Sequence, residues 1–262
     1  TVALLARVPY SIAADVYGNV YFAERTPMAG ALVRRLDSNG ITTIGEFAAA
    51  AEDPKMPGGP LTVDLAVDSA GDLFVFEIGN ARVQKYSSGV WSVVAGTGVP
   101  GFSGDGGPAT SAQLAGGDGG AIAVDGLGNL WIADAYNGRI RRVDASGVIS
   151  TVKDGVFATT LAADAGGNAY FSVDVAFFDF SPLGSIVQRL TPEGTLSHFA
   201  GNGSADDAGD GLAPTDAPLG HVKQLSMDPS GSLLILVDTG SPRGRIRRIA
   251  GGSGGGPETS PT

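Results

Sequence analysis

Residues 122–134 read "IAVDGLGNLWIAD": an apolar run ends in Asp125, a turn carries Gly128, and a second apolar run starts at Leu130. Gly tolerates the left-handed backbone of a tight turn and an Asp side chain accepts bonds from turn amides, so the phrase reads as a β-hairpin. It occurs five times. The other copies are "IAADVYGNVYFAE" from Ile12, "LAVDSAGDLFVFE" from Leu65, "LAADAGGNAYFSV" from Leu161 and "LSMDPSGSLLILVD" from Leu225. Asp15, Asp68, Asp125, Asp164 and Asp228 are turn formers on this reading, because five equivalent copies suit a structural role better than a catalytic one.

A third strand with a basic residue at a matching place follows each hairpin: "ALVRRL" (31–36), "ARVQKY" (81–86), "GRIRRV" (138–143), "SIVQRL" (185–190) and "GRIRRI" (244–249). A turn and a fourth strand follow in the first four copies. Four antiparallel strands per repeat make a propeller blade, so the expected fold is an all-β propeller of five blades, with six as the alternative. The fifth repeat lacks its fourth strand, and "TVALLARV" (1–8) is the expected replacement, closing the ring at the chain termini. The expected propeller domain is 1–250, followed by a Gly/Ser/Pro/Thr-rich linker or tail at 251–262.

Composition agrees with this. The 262 residues include 41 glycines and 15 prolines, which punctuate many short elements, and 43% hydrophobic residues supply a core. A net charge of −10 argues against nucleic acid, and no apolar run is long enough for a membrane span. With no cysteine, disulfides and thiolate metal sites are excluded. The tail composition favours an extracellular or secreted setting.

At "LWIADAYNGRIRRVDASGVISTV" (130–152) the sequence resembles NHL-repeat β-propellers of the secreted bacterial type. Asp134, Asn137, Arg139 and Ile140 carry the resemblance. It extends over nearly the whole chain to about residue 250, fully in the third repeat and in degenerate form elsewhere. The family includes scaffolds, sensors and a few enzymes, so the resemblance implies the fold rather than an activity.

Two glycine-rich segments align, "GTGVPGFSGDGGPATSAQL" (96–114) and "GNGSADDAGDGLAPTDAPL" (201–219), and both join a fourth strand to the next first strand. They read as connectors crossing a face of the propeller, anchored by Leu114 and Leu219. The alternative is calcium held by Asp105, or by Asp206, Asp207 and Asp210, with backbone carbonyls.

The second strands end in Glu24, Glu77, Asp134 and Asp238, with Val173 then Asp174 in the fourth repeat. These carboxylates either bond their own hairpins and pair with Arg139 and its counterparts, or form a ligand face for a metal or cation. His198 falls in an outer strand, and His221 closes the second connector where it could approach the channel. Phe177, Phe178 and Phe180, in an enlarged fourth-repeat hairpin, form either an exposed interaction patch or a cover for the channel mouth. The expected function is a non-enzymatic scaffold or protein-interaction module, binding a protein partner or self-assembling into a homo-oligomer. The alternative is a ligand- or calcium-binding propeller hydrolase or lyase using the carboxylate face.

Overall fold

The structure, a computed structural model, describes residues 9–26, 30–48, 62–175, 184–206, 208–238 and 244–250. It is all-β, and its five antiparallel sheets are the five blades of a β-propeller. The contacts divide the chain into two compact units, 1–158 and 159–262.

The first unit holds three blades. Blade I is β1 (Pro9–Ala14), β2 (Val20–Arg25), β3 (Ala31–Asp37) and β4 (Gly40–Phe47). Blade II is β5 (Val63–Val67), β6 (Leu73–Glu77), β7 (Arg82–Ser87) and β8 (Val90–Ala95), and blade III is β9 (Ala121–Val124), β10 (Leu130–Asp134), β11 (Arg139–Val143) and β12 (Ile149–Asp154). The second unit holds blade IV, made of β13 (Thr160–Ala163), β14 (Ala169–Asp174), β15 (Ser185–Leu190) and β16 (Leu196–Ala200). Blade V follows with β17 (His221–Met227), β18 (Leu233–Asp238) and β19 (Arg245–Ile249). Residues 1–8, expected to complete blade V, lie outside the described residues.

Within each blade the strands pair in chain order. In the first unit β5 packs beside both β1 and β9, and in the second β13 packs beside β17, so first strands are neighbours. Every residue of β6 and of β10 is buried, and β6 is covered on both faces, with Leu73 and Val75 packed against blade I and Phe74 and Phe76 against blade III. Such strands read as continuous apolar runs instead of alternating ones.

The hairpin aspartates do what the sequence leads one to expect. Asp125 Oδ1 accepts the Leu127 and Asn129 amides at 2.9 Å each, and Oδ2 accepts Asn129 Nδ2 at 2.8 Å and Trp131 Nε1 at 2.9 Å. Gly128 sits at φ +82°, a conformation that side chains resist. Asp15 and Asp164 reach the Tyr21 and Tyr170 hydroxyls in the same way. The basic residue common to the third strands completes the cluster. Arg35, Lys85, Arg142, Arg189 and Arg248 lie in register with Tyr21, Phe74, Trp131, Tyr170 and Leu234. Lys85 Nζ lies over the Phe74 ring and 3.3 Å from Asp68, and Arg248 Nε is 3.1 Å from Asp228.

Truncating Asp125 to Ala strands buried donors, Trp131 Nε1 among them, and is expected to cost about 2–4 kcal/mol by chemical denaturation, at roughly 1 kcal/mol for each lost bond. A further outcome concerns acid. The Ser230 hydroxyl and the Ser232 amide hold Asp228 down to about 2, and Asp15 lies below its ordinary value because bonds from Asn19 and Tyr17 outweigh burial. A carboxylate depressed on folding stabilises above its ordinary value of 3.8 and loses that contribution as pH falls through its folded value. The melting temperature is therefore expected to fall between about pH 4 and pH 2, and to fall less steeply in Asp228→Asn.

Candidate functional site

Three of the four carboxylates expected to form a ligand face are buried, and all three lie in the first unit. Glu24, Glu77 and Asp134 have 0% exposure. Glu24 meets Arg34 Nε at 3.0 Å. Glu77 takes Arg82 Nε at 2.7 Å, Asn80 Nδ2 at 2.7 Å and the Gln84 amide. Asp134 accepts Asn137 Nδ2 at 2.9 Å and the Ala115 amide at 2.6 Å, and Arg141 approaches to 3.8 Å. Burial pushes the Asp134 carboxyl above its ordinary value despite these bonds. Arg139, the expected partner, instead donates to the Asn137 carbonyl. Arg141, two residues further on and so on the same face of β11, approaches the carboxylate instead, whereas in blade II Arg82, the counterpart of Arg139, does pair with Glu77.

The glycine-rich connectors are wedged between blades and do not cross a face. Ala109, Ala112 and Leu114 are buried in the cluster that also contains Phe76, Ile132 and Ile149, and Leu219 occupies the matching core of the second unit. The two segments repeat one bonding pattern. Gly96 N donates to Ala109 O and Thr97 N to Ala112 O, as Gly201 N does to Pro214 O and Asn202 N to Ala217 O. A β-carbon on Gly104 would meet the Ala112 backbone at 2.7 Å, so passage between packed sheets is what demands glycine.

Each connector is latched by an arginine of the following blade. Arg141 donates to Asp105 at 2.7 Å, to Gln113 O at 2.9 Å and to Ser103 O at 2.9 Å. In the second unit Arg247 donates to Asp210 at 2.7 Å and to Pro218 O. Burial works to raise Asp105, but bonds from Thr151 and Arg141 outweigh it and leave the carboxyl below its ordinary value. Asp105 and Asp210, the proposed calcium ligands, thus face guanidinium groups, which compete for the oxygens a cation would need. Asp206 is exposed and accepts the Ala208 amide, and Asp207 lies outside the described residues. Among the described residues no group of three His, Asp or Glu side chains gathers to hold a metal ion.

Asp64, at the start of β5, escaped the sequence reading. Its Oδ1 accepts the Ser11 hydroxyl of β1 at 3.0 Å and its Oδ2 accepts the Ile122 amide of β9 at 2.9 Å, tying three first strands together. Burial raises this carboxyl above its ordinary value, more than the bonds from Ile122 and Ser11 lower it. The residue stands one place before the repeated phrase. Its counterparts Ser11, Ala121, Thr160 and Gln224 share no residue type, which hid it.

The accessible polar cluster is in the second unit. His221 is the first residue of β17, and its Nδ1 lies 3.9 Å from Asp174 Oδ1 at the end of β14. Asp174 accepts the Ser185 hydroxyl at 2.6 Å, and Ser185 Oγ in turn accepts the Val222 amide at 2.9 Å. That chain fixes Asp174 against the strand carrying His221. Asp238 is the cross-strand partner of His221, and Lys223 Nζ is 3.7 Å from it. The side chains of His221, Asp174, Lys223 and Asp238 are between 40% and 57% exposed, so a ligand can reach them. Asp238 is thus the one member of the expected carboxylate face that stands open. His198 is held in the outer strand β16 by the Gly201 carbonyl. Phe177, Phe178 and Phe180 lie outside the described residues.

No family model matches the chain, and no curated protein matches it. Solved structures do. A catalytically inactive histidine-to-alanine variant of virginiamycin B lyase from Staphylococcus aureus, with quinupristin, is 16% identical at a TM-score of 0.53, over 92% of this chain and 69% of that one. A gluconolactonase from Xanthomonas campestris is 13% identical at a TM-score of 0.54, over 88% and 70%. A protein of unknown function from Bacteroides thetaiotaomicron is 13% identical at a TM-score of 0.58, over 92% and 58%. At this identity the likeness defines the β-propeller fold and nothing finer.

The latches generate a direct test. Replacing the fully buried Arg141 by Met leaves Asp134 without its nearest cation and is expected to cost about 3 kcal/mol. Asp105→Asn is expected to cost about 1 kcal/mol. The Asp105→Asn loss should be equal with and without a chelator in thermal denaturation; a loss that disappears on chelation would restore calcium to that loop.

Proposed function

We propose that the chain is a small-ligand-binding propeller of the lyase or lactone-hydrolase kind, with His221 as its proton-transfer group. The observation that carries this reading is the meeting of His221 with Asp174 at the accessible start of a first strand. With Nδ1 turned to the Asp174 carboxylate, Nε2 is left to take a proton from a ligand or from water. Asp174, itself oriented by Ser185, would stabilise the imidazolium so formed. Lys223 supplies positive charge beside the same strand end, suited to an ester or lactone carbonyl as its oxygen gains charge.

A lyase and a lactone hydrolase can both use a positioned base of this kind. The solved neighbours include proteins named for each of these activities, which supports the catalytic reading over the expected scaffold. The NHL-repeat assignment and the extracellular setting belong to the same proposal; the repeat signature at Asp134, Asn137, Arg139 and Ile140 and the tail composition support them.

The test is turnover of virginiamycin B and of gluconolactone by the purified chain. The proposal expects measurable turnover of one of them, a fall in kcat/KM of about 10²–10³-fold in His221→Ala, and a smaller fall of about 10-fold in Asp174→Asn. Turnover unchanged in His221→Ala, or no turnover of either compound, would overturn it.

A further inference from the structure

A second surface, in the first unit, has no part in the chemistry above. Four apolar side chains stand out from the β10–β11 turn of blade III and the two loops that flank that blade: Val99 at 56% exposure, Phe102 at 42%, Tyr136 at 55% and Phe157 at 68%. Phe102, Tyr136 and Phe157 are brought together through residues 137–139, and Val99 lies in the same connector as Phe102. The Phe102 ring lies under the Arg139 guanidinium, 3.9 Å from its carbon to the ring centroid. Asn137 Nδ2 donates to Gly101 O at 2.8 Å and so fixes the connector that carries Phe102 against the turn that carries Tyr136. The Phe157 ring covers Gly138, where a β-carbon would meet it at 3.3 Å, and the Val156 amide bonds the Gly138 carbonyl at 2.9 Å.

Gly138 takes φ +62°, and Arg141 latches the connector from below. Surface apolar residues scattered singly need no explanation, but aromatic rings grouped around an arginine have the composition of a binding hot spot. The charge of Arg139 gives the partner its sign. Among the described residues Arg139 forms no ion pair, although Asp154 is its register partner across β12. Its Nη1 donates only to a backbone carbonyl. A guanidinium that makes no ion pair, whose nearby carboxylate Asp134 is fully buried, framed by exposed rings on a protein of net charge −10, complements an acidic ligand and disfavours a second copy of this acidic chain.

We propose that Val99, Phe102, Tyr136, Arg139 and Phe157 form a docking strip for a peptide segment of a partner protein, with a carboxylate set beside an apolar or aromatic side chain. The carboxylate pairs with the open edge of the Arg139 guanidinium, and the apolar side chain lies against Phe157 and Tyr136. This surface and the His221 cluster sit in different compact units, so either assignment stands without the other.

The test is panning of a random peptide display library on the intact chain, followed by affinity measurement with the enriched peptides. The expected result is enrichment of sequences placing Asp or Glu next to Phe, Leu or Trp, with binding weakened at least 10-fold by Arg139→Gln and by Phe157→Ser. Phe157 is largely exposed, so Phe157→Ser leaves the melting temperature unchanged and separates loss of docking from loss of fold. Replacing the peptide carboxylate by an amide should weaken binding as much as Arg139→Gln does. No enrichment, enrichment of peptides without an acidic residue, or binding indifferent to both variants would overturn the proposal. So would self-association through this strip in light scattering.

Discussion

The grip of one aspartate on the turn that follows it is the interaction on which the remainder of the structure depends. In blade III the Asp125 carboxylate takes both turn amides, the Asn129 side chain and the Trp131 indole, so a single group closes the hairpin and fixes the ring at the blade's centre. Buried donors without acceptors are costly, whereas a carboxylate that satisfies four of them makes the turn cooperative. A cation from the third strand then covers the ring. Blades I, III and IV share the Asn that donates to this carboxylate and a Tyr or Trp donor two residues later, whereas blades II and V keep the turn amides and add a cation from Lys85 or Arg248, so the frame tolerates drift in the rest of the repeat.

A frame secured at that end leaves the opposite end of each blade free to vary. There the second strand finishes and the next first strand begins, and there the blades differ most. Glu24, Glu77 and Asp134 are drawn inward to arginines and amides and become structural. In blades IV and V the matching register positions hold Val173 and Val237, and Asp174 and Asp238 stand one residue further on, where they remain open beside His221 and Lys223. A shift of one residue along the second strand therefore separates the buried carboxylates of one unit from the accessible polar cluster of the other. The connectors show a related economy, since an arginine two residues into the third strand both satisfies its blade and clamps the chain that precedes it.

Most of the fold was legible in the sequence because it repeats. The Asp, the turn Gly and the basic residue recur at fixed spacing, and spacing survives where identity does not. The connectors were recognisable as a pair, but their path between blades was not, since Ala112 and Leu114 are buried by strands that lie far along the chain. The candidate site was less legible still. His221 and Asp174 are separated by 47 residues, and no local pattern announces a contact made between two blades. Asp64 was hidden for the opposite reason: it stands beside a clear motif but outside it, and its partners Ser11 and Ile122 come from other repeats.

Native-state hydrogen exchange read residue by residue tests the role given to the turn aspartates most directly. The amides of Asn19, Asp72, Asn129, Asn168 and Ser232, each bonded to the aspartate of its own turn, should exchange only through global unfolding, although they lie in surface turns. Exchange of these amides at the rate of ordinary exposed loops, while the strands stay protected, would contradict the claim that the turns hold the blades.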